Sequence, residues 1–175
     1  MTATEVSSPE SMLLRSLTLL VARWSSPSLQ RSVADAVGVT VDATDISPLY
    51  MLGFRGPMRP GDIAEALHIS RPTLSKQLAR LDRAGMIERD PDPVDGRAAI
   101  VRLSEQGQDA HERLVAEGIR MVRRALQGRP HAESSAFATH VAEFIAELGV
   151  MGSVGEPATD QRRPRTGRRP EEDQP

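Results

Sequence analysis

Residues 61–102 read GDIAEALHISRPTLSKQLARLDRAGMIERDPDPVDGRAAIVR, and this stretch decides the fold. Its apolar spacing predicts a short helix over 62–67 and a second helix over 71–84, with an Ile-Ser turn between them. Two short strands, 86–89 and 98–103, follow and enclose a loop rich in proline and aspartate. A helix pair with a tight turn and such a hairpin is the element order of a winged helix-turn-helix.

The residues inside the helix pair agree with this order. Ser70 is a good N-cap and Pro72 suits the first turn, so the start of the second helix is well defined. Ala64 is small enough to let the two helices cross closely. The apolar residues that lock the pair are Ile63, Leu67, Ile69, Leu74, Leu78 and Leu81. His68 stands where many such turns have a left-handed glycine, which predicts local strain.

The outer face of the second helix is basic. Residues 71–83 carry four cations against Asp82 as the single anion. Arginine and lysine can donate to guanine O6 and N7, while serine and threonine can contact bases or phosphates. The predicted DNA contacts on this helix are Ser70, Arg71, Pro72, Thr73, Ser75, Lys76 and Arg80. The plainer alternative is a solvated amphipathic helix.

The hairpin loop, DPDPVDGR at 90–97, allows three interpretations. Its aspartates would repel DNA unless Asp95 pairs with Arg97 and directs that guanidinium into the minor groove. The loop also has some likeness to a calcium loop, but the spacing is off by one and Val101 stands where an acidic ligand is needed. The third interpretation is a solvated turn, and Gly96 would make its tip flexible.

Composition narrows the class of protein. The chain has 39% apolar and 3% aromatic residues, which suits a mainly α fold, and no cysteine, which excludes disulfides and thiolate metal sites. Net charge is −2, yet residues 55–102 carry +2 whereas 103–160 carry −4. No catalytic set or phosphate loop is present, and the four histidines lack ligand spacing. We therefore predict no enzyme activity, no cofactor, no metal, no membrane association and a cytoplasmic location.

Flanking patterns complete a single domain over 9–150. Further helices are predicted over 9–24, 29–37, 45–54, 104–126 and 132–148. Asp45 is the expected N-cap of the third of these helices. Residues 1–8 are expected to be a flexible N-terminus. Residues 151–175 have no apolar period and are expected to be a disordered tail, whose arginines are either solvated or add nonspecific DNA affinity.

Residues 44–118 resemble the MarR family of bacterial transcriptional regulators. The resemblance rests on the run DIAEALHISRPTLSKQLARLDRAGMIERDPDPVDGRA, on the D-x-R of Asp95 and Arg97, and on the VRLSEQG that opens the next helix. It implies a winged helix over 45–103 and a homodimer, built from helices in 9–24 and 104–149. It also implies sequence-specific binding of double-stranded DNA at a pseudo-palindromic operator, in most members as a repressor.

The resemblance also implies a small aromatic or anionic effector that binds between the dimer helices and the DNA-reading domain. The candidate lining residues are Arg15, Trp24, Tyr50, Phe54 and His111. The plainer interpretation makes Trp24 and Phe54, with Met51, ordinary core, and Arg15 and His111 ordinary surface. A different class also stays open, a winged-helix adaptor that binds protein and does not read DNA. Such an adaptor would carry an acidic or apolar outer face on the second helix.

Overall fold

The computed structural model describes residues 8–93 and 99–149. The elements, in chain order, are α1 Pro9–Trp24, α2 Pro27–Ala36, a 3-10 turn Ala43–Asp45, α3 Ile46–Arg55, α4 Pro60–Ala66, α5 Arg71–Arg83, β1 Ile87–Pro91, β2 Ala99–Leu103, α6 Glu105–Ala125 and α7 His131–Glu147. The mainly helical fold with a two-stranded wing is therefore confirmed. The chain divides into two compact units, Met1–Ser135 and Ala136–Pro175.

Serine caps set where most helices begin. The side chains of Ser8, Ser26, Ser70 and Ser104 each accept a backbone N–H from the first turn of the helix that follows. Proline occupies the first turn of α1, α2, α4 and α5. Both features satisfy or remove the orphan donors of a helix start, which is why sequence alone places these starts to within about two residues.

The core of the first unit lies where α3, α5 and α6 meet the wing. Its largest fully buried side chains are Ile46, Leu49, Leu52, Ile63, Leu74, Leu78, Leu81, Leu114 and Val101. Each such aliphatic side chain contributes roughly 1.5–3 kcal/mol by leaving water. Ala64, only 3% exposed, lies at the close crossing of α4 and α5 that was predicted for it.

The turn between α4 and α5 has the left-handed residue that the sequence predicted. His68 adopts φ 51°, and it is the only non-glycine with positive φ in the described part of the chain. An L side chain in this region crowds the following carbonyl oxygen. The turn therefore stores a small amount of strain where glycine would store none.

The wing is an antiparallel pair with Ile87 opposite Leu103 and Pro91 opposite Ala99. The first strand extends two residues beyond the predicted 86–89. A short bridge adds a third strand segment, in which Met58 and Val101 exchange backbone hydrogen bonds of 3.0 and 2.8 Å. The middle of β2 is thereby tied to the loop before α4.

Asp45 occupies the N-cap position of α3, as predicted, but its side chain does not cap the helix. It makes no capping hydrogen bond, and its side chain is buried. The 3-10 turn is capped instead by Asp42, which accepts the N–H of Thr44 at 2.9 Å. The carboxylate of Asp45 faces Arg80 of α5, because the core brings that helix alongside the 3-10 turn.

Two long helices expose apolar side chains. Neither α1 nor α7 has a buried residue. The exposed apolar residues of α1 are Met12, Leu13, Leu14, Leu19, Leu20, Val21 and Trp24, and those at 136–149 of the second unit are Phe137, Val141 and Leu148. Among residues 8–93 and 99–149, no helix is both long and apolar enough to cross a membrane.

Candidate nucleic-acid interface and ligand cleft

The second helix of the helix-turn-helix, α5, separates a buried face from a basic one. Leu74, Leu78 and Leu81 are essentially fully buried. The opposite face exposes five of the predicted DNA contacts: Arg71, Pro72, Thr73, Ser75 and Lys76. Ser70 is also exposed, and its hydroxyl caps the helix by accepting the N–H of Thr73 at 3.2 Å. The structure thus brings these six residues together at the N-terminal half of α5.

Arg80, the seventh predicted DNA contact on this helix, does not lie on the exposed basic face. Its Nε donates to Asp45 Oδ2 at 2.8 Å, and its Nη2 donates to Asp45 Oδ1 at 2.5 Å and to Thr44 Oγ1 at 2.9 Å. These hydrogen bonds raise the pKa of the Arg80 guanidinium, with the bond to Asp45 as the main cause. Arg80 therefore points back toward the body of the domain.

Gln77 makes a second contact between α5 and the 3-10 turn. Its Nε2 donates to the carbonyl oxygen of Thr44 at 2.8 Å, and its side chain is almost fully buried. Gln77 was not among the predicted site residues, and the side chain of Asp45 was expected to cap a helix. The available signal was that Gln77 and Arg80 are three residues apart and so share one side of the helix.

Two of the three aspartates at 90–97 form ion pairs with arginines, one from β2 and one from the loop before α4. Asp90 accepts from Arg102 Nε at 2.6 Å, which raises the pKa of Arg102. Asp92 is buried and forms an ion pair with Arg59, in the loop before α4. Since both carboxylates have basic partners, the expected repulsion of DNA by the wing is reduced. The predicted pair Asp95 and Arg97 lies outside the described residues.

A cleft of about 1170 Å³ opens in the first unit between α1, α3, α6 and the start of α7. Of the predicted effector residues, Trp24, Tyr50 and Phe54 line it. Trp24 is 41% and Phe54 65% exposed, so the interpretation of these two as ordinary core is wrong for the described chain. The rings of Tyr50 and Phe54 are stacked, with centroids 5.7 Å apart.

Helix α6 supplies lining residues that sequence reasoning missed. Val115, Gly118, Ile119 and Val122 form its apolar wall, and Arg123, Arg124 and Arg129 lie around the end of that wall. The signal was the apolar stripe of α6, which continues well past its last core residue, Leu114. An apolar wall with cations at one end is suited to an anion with a hydrophobic body.

Arg15 and His111 do not line this cleft. Arg15 is exposed on α1. His111 is only 7% exposed, so its interpretation as ordinary surface is wrong, and its ring packs edge-on against Phe54 at 5.1 Å and Tyr50 at 6.0 Å. It fits against α3 because Gly53 has no Cβ, where one would overlap the ring. Burial lowers the pKa of His111, and Glu112 opposes that shift.

Comparison with known proteins agrees with this arrangement. A family model described as "MarR family" matches residues 41–99. A protein of Mycobacterium bovis, described as an HTH-type transcriptional regulator, is 30% identical over 118 residues, which are 67% of this chain and 74% of that protein. A similarly described protein of Mycobacterium leprae is 33% identical over 87 residues, which are 50% of this chain and 55% of the relative.

Solved structures show the same fold. A MarR family protein from Bacillus stearothermophilus superposes with a TM-score of 0.68 at 18% identity, covering 85% of this chain and 99% of that one. The outer face of α5 is basic, whereas a winged-helix adaptor would present an acidic or apolar face there. The chain therefore belongs to the MarR family of HTH-type transcriptional regulators, which are DNA-binding proteins and not enzymes.

Proposed function

We propose that this protein is a homodimeric repressor that acts in the cytoplasm, binds a pseudo-palindromic operator and is released by a small anionic aromatic effector. The observation that carries the proposal is the outer face of α5, whose cations are exposed while its opposite face is engaged in the core. In a winged helix this face enters the major groove. Arg71 would read bases and Lys76 a phosphate, while Arg97 would reach the minor groove.

The exposed apolar side chains of α1 and α7 support the dimer. Monomeric proteins rarely leave so many large apolar residues uncovered on one helix. In a two-fold dimer these surfaces would bury each other, and the two α5 helices would face half-sites about one helical turn apart. Sedimentation equilibrium should report a dimer for the native chain. Leu14→Glu should shift it toward monomer, and a native monomer would contradict the proposal.

Operator binding can be tested without knowing the target gene. Duplexes selected from a random library by the native protein would serve as probes in fluorescence anisotropy at several salt concentrations. Lys76→Ala should weaken binding to all duplexes and reduce the slope of log K against log salt by about one, whereas Arg71→Ala should also relax base preference, at a cost of about 1–3 kcal/mol. The matched control is Arg31→Ala, which removes an exposed arginine on α2.

Failure of the library selection to enrich any sequence would refute the repressor proposal. Arg97→Ala tests the wing separately and should cost about 1–3 kcal/mol of operator binding. Unchanged affinity at moderate salt would remove the wing from the interface. The same result would leave the role of α5 intact, because α5 is tested by its own variants.

Binding of an effector in the cleft can be followed by tryptophan fluorescence. Trp24 is the single tryptophan of the chain and lines the cleft, so its fluorescence should change when a ligand binds. Benzoate serves as an aromatic anion and benzyl alcohol as its uncharged counterpart. We expect saturable quenching by benzoate, weakened at least fivefold by Arg123→Ala, and weaker binding of the alcohol. Equal binding of both compounds would show that charge plays no part.

A further inference from the structure

The contacts between α5 and the 3-10 turn assign a role to a pair of residues, Asp45 and Arg80. We propose that Asp45 and Arg80 clamp α5 in one rotational setting and thereby determine base preference, with Arg80 acting as a positioning residue and not as a DNA contact. The proposal rests on the proposed operator binding by α5. It reverses the expectation that Arg80 touches DNA, which followed from its predicted place on the basic outer face of the helix.

The geometry of the pair is that of a rigid fork. Two guanidinium nitrogens of Arg80 meet the two carboxylate oxygens of Asp45 at 2.8 and 2.5 Å. Such bidentate pairs fix orientation as well as distance. The side chain of Asp45 is 2% exposed, so the carboxylate has lost its water and depends on protein donors. Arg80 is 37% exposed, and its charge is already neutralised by this partner.

The clamp has a second point of attachment one turn earlier. Gln77 donates to the Thr44 carbonyl, and Arg80 donates to the Thr44 hydroxyl as well as to Asp45. The Thr44 hydroxyl in turn donates to Asp42 at 2.6 Å. Two attachments three residues apart along α5 oppose both rotation about the helix axis and tilt.

A small rotation of α5 would be enough to change what the helix reads. Side-chain atoms lie roughly 5–6 Å from a helix axis, so a rotation of about 10° moves them by about 1 Å. Bidentate hydrogen bonds to a base edge do not survive a displacement of that size. Phosphate contacts are more tolerant, since they depend mainly on charge. Loss of the clamp should therefore reduce specificity more than nonspecific affinity.

The test compares the selected duplex with a scrambled one for Asp45→Asn, Arg80→Gln, Arg80→Lys and the double variant Asp45→Asn/Arg80→Gln. The clamp predicts that each single change lowers the ratio of the two affinities at least tenfold and leaves the salt slope unchanged. It also predicts that the double variant is no worse than the single ones, because one interaction is lost in all. Circular dichroism verifies equal helix content.

A DNA contact by Arg80 predicts the opposite pattern. Arg80→Gln would then reduce the salt slope by about one, and Asp45→Asn would tighten binding by releasing a cation. Either result overturns the clamp. Arg80→Lys keeps the charge but not the fork, so it should lose specificity if the clamp is right and retain it if Arg80 contacts phosphate. This variant decides the matter even if Asp45→Asn fails to fold.

The proposed function and the clamp fail in different ways. If the native protein prefers no duplex, both are overturned. A second outcome overturns only the clamp. In that outcome the native protein is specific and Lys76→Ala lowers the salt slope, but the clamp variants remain as specific as the native chain.

Discussion

Replacing His111 by leucine should stabilise the protein, and more so in acid. The ring is 7% exposed, and neither ring nitrogen has a hydrogen-bond partner among residues 8–93 and 99–149. A buried polar group without a partner costs about 1–3 kcal/mol. Leucine has a similar volume but gives up the edge-on contacts with Tyr50 and Phe54, worth about 0.5–1.5 kcal/mol. The net gain in the free energy of unfolding should be about 1 kcal/mol at pH 7.5.

The larger stabilisation by His111→Leu in acid follows from the lowered pKa of His111. In the unfolded chain this group takes up a proton near its ordinary pKa of 6.5, whereas burial lowers its pKa in the folded state. Between the two values the unfolded state binds more protons, so stability is lost as pH falls below about 6.5. At pH 5.5 the loss is at most about 1.4 kcal/mol. Since leucine does not titrate, its advantage should widen to about 2 kcal/mol.

Urea unfolding followed by circular dichroism measures the free energy of unfolding of the native protein and of His111→Leu at pH 7.5 and at pH 5.5. Both proteins are compared at one fixed concentration. Fixed concentration matters because a dimer gains stability from association. His140→Gln, at an exposed histidine of α7, is the matched control for the loss of one histidine. A His111→Leu protein that is less stable than the native one at both pH values, or an advantage that does not grow in acid, would refute the reasoning.

Three further substitutions test a close contact, a helix cap and a strained turn. Gly53→Ala places a Cβ against the His111 ring and should lower the free energy of unfolding by about 1–3 kcal/mol. Adding His111→Ala should restore most of this loss. A single variant as stable as the native protein would contradict the close approach of the ring to Gly53. Ser104→Ala removes the cap that accepts the Gly107 N–H at 3.0 Å and should lower stability by about 1–2 kcal/mol in thermal unfolding, with no loss meaning that the cap is replaced by water. His68→Gly should raise stability by about 0.5–1 kcal/mol, because φ 51° is unstrained for glycine, and a destabilised protein would show that the histidine has another role.

Local chemistry made the helix-turn-helix predictable. A serine cap with a following proline fixes the start of α5 through neighbouring backbone groups alone, and the leucine spacing fixes which face is buried. The left-handed turn at His68 was predictable for the same reason, since it depends on turn geometry. Each of these features is determined by residues within about one helical turn.

Contacts between distant segments were not predictable from the sequence. Arg80 meets Asp45, 35 residues earlier, only because the core places α5 beside the 3-10 turn. The apolar side chains of Trp24 and Phe54 could face core, ligand or partner, and the sequence alone does not distinguish these three. His111 was mistaken for surface because nothing near it in sequence shows that Gly53 leaves room for its ring.

The bridge between Met58 and Val101 helps to hold the two wing strands in register, whatever sequence joins them. Val101 lies in the middle of β2, opposite Arg89, so the bridge fixes the register of the wing there, and the ion pair of Asp92 and Arg59 holds the residue just after β1 to the same loop before α4. The alignment of the two strands is therefore set by described residues on either side of 94–98, and exchanges of sequence within 94–98 should leave the register of the wing unchanged.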